Sequence, residues 1–136
     1  MKLVVDTNII MAAIIRDSAT RKLLLNPELE LYLPDHVFCE LKKHKDDITN
    51  RSGLSEDEFY ILLYTIMDRI TIVSKEDFAE YIPKAWKIMA KIDENDTPFL
   101  ALAMSFENDG IWSEDDHFKE QNEVKVWKTR DLIDVL

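Results

Sequence analysis

The chain has 136 residues, 46% of them hydrophobic, and 17 Lys and Arg against 27 Asp and Glu, for a formal net charge of -10. That length and apolar content suit one domain over residues 1–136 with an ordinary core, and the acidic excess argues against extended nonspecific binding to phosphates, which depends on Lys and Arg. Only two glycines, four prolines and a single cysteine argue against linkers, low-complexity disorder and an intrachain disulfide.

In chain order, Lys2–Val5 reads as a short buried strand and Asn8–Ile15, apolar on nearly every side, as a core helix. Ser18–Leu25 predicts a second helix closed by Asn26-Pro27, and the alternating Leu29–Leu33 a second strand stopped by Pro34. A helix is expected from Asp35 through Glu40 to about Asp47. Ser55-Glu56-Asp57-Glu58 is a capping box, opening a helix with the apolar stripe Phe59, Leu62, Leu63, Ile66 and Ile70. Ile70–Val73 is a third strand; Glu76–Lys91 is helical with a break at Pro83, which opens the second piece.

Asp93-Glu94-Asn95-Asp96 is a turn before the apolar helix Phe99–Phe106, opened by Pro98 and closed by Asn108-Asp109-Gly110. Ile111-Trp112 predicts a fourth strand, Ser113–Asp116 a loop, Val124–Trp127 a fifth strand and Thr129–Leu136 a last helix. Alternating strands and helices give an α/β fold with a parallel sheet of four to five strands and helices on both faces. Ligands in such sheets bind beyond the carboxyl ends of the strands.

Four carboxylates stand at structural junctions: Asp6, Glu40, Asp96 and Asp115. Each has a local reading, as a helix cap for Asp6 and Asp96, a solvated helix charge for Glu40 and a turn residue for Asp115. Those readings do not account for the common location of Asp6 and Asp115 after predicted strands, or of Asp96 at the start of the helix leading to the fourth. Two carboxylates about 5 Å apart repel by about 3 kcal/mol at an effective dielectric near 20, so a cluster of four calls for protons or a cation. All-oxygen ligands suit Mg²⁺ or Mn²⁺, and such ions promote hydrolysis of phosphodiesters.

The stretches Val4-Val5-Asp6-Thr7-Asn8-Ile9, Phe38-Cys39-Glu40-Leu41, Asp96-Thr97-Pro98-Phe99-Leu100-Ala101-Leu102-Ala103 and Ile111-Trp112-Ser113-Glu114-Asp115-Asp116-His117-Phe118 resemble, in order, the four motifs of PIN-domain ribonucleases, in particular the small stand-alone VapC-like proteins. The resemblance implies a Mg²⁺- or Mn²⁺-dependent endoribonuclease acting on RNA, with Asp6, Glu40 and Asp96 as core acidic positions and Asp115 as the fourth. It further implies Asp93 as an auxiliary acid, and Thr7, Asn8 and Ser113 as groups that orient the carboxylates. His117 departs from the pattern, since many members carry Asp there, and this leaves the fourth ligand between Asp115 and Asp116. Many such proteins are toxins with an antitoxin partner, and many form homodimers.

His36, Glu40 and His44 lie four apart on one helix face, a pattern that suits nitrogen ligands to a metal but has no fourth partner nearby in sequence. The basic groups Arg21-Lys22, Lys42-Lys43-His44-Lys45 and Lys84, Lys87 and Lys91 read as solvated helix faces before they read as a phosphate-contacting rim. Cys39 is expected to pack as a small apolar side chain. The chain lacks an apolar run of membrane-spanning length and an N-terminal secretory pattern, so a cytoplasmic protein without membrane contact is expected. A non-catalytic PIN-like module binding a protein or RNA is the alternative function, favoured by the acidic surface. Aspartate-nucleophile phosphatases and receiver domains fit less well, because Thr7 and Asn8 follow Asp6 where those folds place further acids.

Overall fold

The computed structural model describes residues 1–16 and 18–136. Five strands, β1 (Lys2–Val5), β2 (Glu30–Pro34), β3 (Ile70–Val73), β4 (Gly110–Trp112) and β5 (Val126–Trp127), form one sheet in the order β3-β2-β1-β4-β5. Every pairing is parallel, with Leu3 opposite Leu31 and Val4 opposite Ile111. Leu3, Val4 and Val5 are all fully buried. Because successive strand residues point to opposite faces, both faces of β1 are covered, which explains the unbroken apolar run.

The strand order reverses at β1: the chain moves outward through β2 and β3, then returns to the other side of β1 as β4. This is the switch point beside which open parallel sheets form a crevice. The main chain ties the two strand ends together there, as the Asp6 N–H donates to the Trp112 carbonyl at 3.0 Å.

The helices are α1 (Thr7–Ile15), α2 (Ser18–Leu24), α3 (His36–Lys43), α4 (Lys45–Ser52), α5 (Glu56–Met67), α6 (Lys75–Phe78), α7 (Ile82–Met89), α8 (Thr97–Ser105) and α9 (Thr129–Val135). The capping box forms, with the Glu58 N–H donating to Ser55 Oγ at 3.1 Å and the Ser55 N–H to Glu58 Oε1 at 3.0 Å. Pro83 stands in the first turn of α7. Asn108 closes α8 by donating to the carbonyls of Ala103 at 2.7 Å and Phe106 at 2.8 Å.

Three local expectations are corrected. The helix expected from Asp35 to about Asp47 is two helices, broken at His44, and the second runs to Ser52. The break lets α3 bury Val37 and Leu41 while α4 packs Ile48 beside α1. The fifth strand starts at Val126 rather than Val124, because the buried Gln121 amide takes both main-chain groups of Val124 into a loop, at 3.0 Å from its N–H and 2.8 Å from its carbonyl. Cys39 is exposed, on the side of α3 away from Val37 and Leu41. Among the described residues no helix is long and apolar enough to cross a membrane.

Candidate metal centre

Asp6 and Asp96 occupy the residues before α1 and α8, yet neither side chain caps its helix. Both are buried, at 3% and 8% exposure. A carboxylate withheld from water needs another source of stabilisation.

For Asp6 part of that comes from β4. The fully buried Ser113 donates from Oγ to Asp6 Oδ2 at 2.7 Å and accepts the Asp115 N–H at 2.9 Å. One hydroxyl therefore fixes the carboxylate after β1 and the main chain carrying Asp115. Burial nevertheless pushes the Asp6 carboxyl above its ordinary range, opposed by the Ser113 hydrogen bond and by the nearby main-chain N–H groups of Asn8 and Thr7, and reinforced by the charge of Asp115.

Asp96 is less compensated. Its Oδ2 is buried with no hydrogen-bond partner, as is Thr97 Oγ1. Burial, followed by the charges of Asp6, Asp93 and Asp115, pushes its carboxyl from 3.8 up to about 7. The turn Glu94–Asp96, held by the Asp93 carboxylate accepting the Asn95 N–H at 3.0 Å, places Asp93 beside it. From the β4 side, Asp115 accepts the His117 N–H at 2.9 Å and opens the short turn Asp116–Glu120. This turn aims the imidazole back at the carboxylates: His117 Nδ1 lies 3.2 Å from Asp115, 3.5 Å from Asp93 and 3.9 Å from Asp96.

The adjoining cleft, about 440 Å³, is lined by Asp6, Thr7, Asn8, His36, Glu40, His44, Asp96 and Phe99 among others. Glu40, the junction carboxylate with no strand end to locate it, thus faces the same space as Asp6 and Asp96. Asp116 does not join the cluster: it is exposed and pairs with Lys128 at 3.0 Å. His36, Glu40 and His44 share the cleft wall, but the group whose ligand atoms approach closely enough for one ion, among the described residues, is Asp93, Asp96 and His117. In the sequence His117 stands out only as a departure from the family pattern. Its place immediately after the predicted loop Ser113–Asp116 and next to the core residue Phe118 is the available signal.

Several basic side chains serve other contacts. Arg21 donates to the Ala13 carbonyl at 2.9 Å, Lys45 pairs with Glu56 at 2.8 Å and Lys84 with Glu123 at 3.6 Å.

Removing the Ser113 hydroxyl tests its linking role. Ser113→Ala is expected to lower stability by about 1–3 kcal/mol, as both the Asp6 carboxylate and the Asp115 N–H lose a buried partner. It is also expected to weaken divalent-ion binding by about 10–100-fold through misorientation of Asp6. Urea unfolding and calorimetric metal titration read the two effects.

A parallel α/β sheet with buried, self-repelling carboxylates at the carboxyl end of β1 and the start of α8, and half-buried Asp115 after β4, defines an acidic site of the kind that accepts a hard cation. The PIN domain model matches residues 4–134, and the chain belongs to the PIN-domain family. The fold is similar to a chain in the crystal structure of VapBC2 from Rickettsia felis bound to a DNA fragment from their promoter, with a TM-score of 0.72 and 17% identity over 94% of this chain and 98% of that one. No curated protein matches the sequence.

Proposed function

We propose that the protein is a divalent-metal-dependent endoribonuclease that hydrolyses RNA phosphodiester bonds. The observation that carries this reading is the buried Asp96 Oδ2, which has no hydrogen-bond partner inside a cluster of carboxylates and only the His117 imidazole, 3.9 Å away, as a nearby counter-group: an oxygen so placed suits a cation ligand. Mg²⁺ or Mn²⁺ fits the oxygen donors of Asp6, Asp96 and Asp115, with Asp93 beside Asp96 and Glu40 on the cleft wall. A bound divalent ion supplies positive charge to a reacting phosphate and lowers the pKa of water.

The protein's own residues do the rest. Ser113 holds Asp6 in one orientation, and Thr7 and Asn8 shape the wall beside it. Glu40, exposed on the cleft wall, accepts the proton of the attacking water. Asp116 is left to its pairing with Lys128. The overall charge of -10 disfavours long tracks of phosphate contacts, so the substrate is held over a short stretch around the cleft. Family membership and the likeness to VapBC2 support a VapC-like toxin with an antitoxin protein as partner; a cytoplasmic location and a homodimer complete the proposal.

The test is cleavage of a mixed pool of structured and single-stranded RNAs by purified protein with Mn²⁺ or Mg²⁺, against the same reaction in chelator. Internal cuts that appear only with the ion are the expected result. Intact RNA under every ion would replace this reading with a non-catalytic PIN-like module.

A further inference from the structure

We propose that His117 is a nitrogen ligand of the metal centre, and that it makes the site of this chain prefer Mn²⁺ to Mg²⁺. The inference rests on the cation-binding reading of the cluster given above and adds the identity of one donor and its consequence.

The shorter donor spacings are close to those of a coordination sphere. An ion with ligands at about 2.1 Å has neighbouring donors about 3 Å apart in octahedral and about 3.4 Å apart in tetrahedral arrangement. His117 Nδ1 stands 3.2, 3.5 and 3.9 Å from oxygens of Asp115, Asp93 and Asp96. One atom each of Asp93, Asp96 and His117 lies within 4.8 Å of the others. A second observation points to a ligand: Asp96, at 8% exposure, turns a buried Oδ2 with no hydrogen-bond partner toward this space.

The main chain that carries the imidazole is also held in place. The His117 main-chain N–H donates to Asp115 at 2.9 Å. The next residue, Phe118, is fully buried and meets the Phe99 ring edge-on at 6.3 Å. The turn is therefore anchored on both sides of the histidine, and Phe99 belongs to the helix that Asp96 precedes.

The consequence follows from ligand chemistry. Carboxylates serve Mg²⁺ and Mn²⁺ alike, whereas imidazole favours first-row transition ions, and Mg²⁺ strongly prefers oxygen. A histidine where an all-carboxylate site would carry aspartate thus shifts selectivity without changing the fold.

The test uses the full chain, freed of metal and reloaded with Mn²⁺ alone, without RNA. Pulsed electron paramagnetic resonance of the wild type is expected to show hyperfine coupling from an imidazole nitrogen, lost in His117→Ala. By calorimetry, His117→Ala is expected to bind Mn²⁺ at least about 10-fold more weakly, the lower end of what even indirect disturbance of a ligand costs, with Mg²⁺ affinity changed by less than about 3-fold. His117→Asp should narrow the preference for Mn²⁺ over Mg²⁺. Absence of nitrogen coupling in the wild type, or Mn²⁺ binding by His117→Ala as tight as or tighter than wild type, overturns the proposal and makes the histidine a counter-charge to the carboxylates. Asp96→Asn separates the two levels: if it loses Mn²⁺ while the His117 variants keep it, only the role of His117 fails. If it binds Mn²⁺ as wild type does, the cation-binding reading fails with it.

Discussion

Asp96→Asn is expected to abolish ion-dependent RNA cleavage, by on the order of a thousandfold, while circular dichroism and the folded core remain unchanged. The amide has the shape of the carboxylate, so the packing before α8 is kept, and Pro98, Phe99 and Leu100 still anchor the helix. What disappears is the negative oxygen that sits buried without a partner. Loss of about 4 kcal/mol of charge stabilisation in the transition state is equivalent to that factor. The matching change at Asp116, which is exposed and paired with Lys128 at 3.0 Å, is expected to leave cleavage within a few-fold of wild type. Residual activity of Asp96→Asn within tenfold of the parent protein would show that the ion is held elsewhere.

Much of the frame behind this expectation is readable from the residues. Val4-Val5-Asp6 announces a doubly buried strand ending in a polar group, and Ser55 with Glu58, Pro83 and Pro98 mark helix starts that form as expected. These signals are local, resting on periodicity, caps and turn residues. The features that escaped are set by contacts distant in sequence. Lys42-Lys43-His44-Lys45 contains no helix breaker, so the break at His44 is not set by local propensity; it goes with the packing of α4, with Ile48 buried, against α1. Val124 looks like a strand residue until the Gln121 amide claims its main chain. At the site, the sequence leaves Asp115 and Asp116 undivided, since adjacent residues in a loop have no periodicity to separate them. In the structure the division follows from two partners, Ser113 at the end of β4 and Lys128 before α9. His117 is the clearest case: its approach to Asp93 and Asp96 depends on the junction before α8 meeting the loop after β4.

In chelator, the protein is expected to become less stable between pH 5 and pH 8, and Mn²⁺ is expected to return the loss. The sign follows from Asp96, whose carboxyl moves from 3.8 up to about 7 on folding because of burial and then the neighbouring charges of Asp6, Asp93 and Asp115. Between those values the folded protein holds a proton that the unfolded chain has released. Its contribution is complete below about pH 3.8 and is lost as pH rises through about 7. At about 1.4 kcal/mol for each tenfold change in proton affinity, the whole displacement amounts to about 4 kcal/mol, of which about 2–3 kcal/mol falls between pH 5 and 8. For a chain of this size that is a drop in melting temperature on the order of 6–10 °C. Asp6, also raised by burial, acts in the same direction. Glu58 and Asp116 are lowered, by the Ser55 cap and by Lys128 respectively, so they titrate at or below the ordinary carboxylate range and leave this window untouched. A saturating divalent ion replaces the proton as the partner of the carboxylates, so it should flatten the profile and stabilise most at pH 8. Asp96→Asn should flatten it without the ion, which assigns the slope to this residue rather than to the histidines. Thermal melts in chelator and in Mn²⁺ across pH 5 to 8 measure all three curves. A wild-type curve in chelator that is level over this range would mean that the carboxylates do not share a low-dielectric pocket, and the candidate metal centre would lose its physical basis.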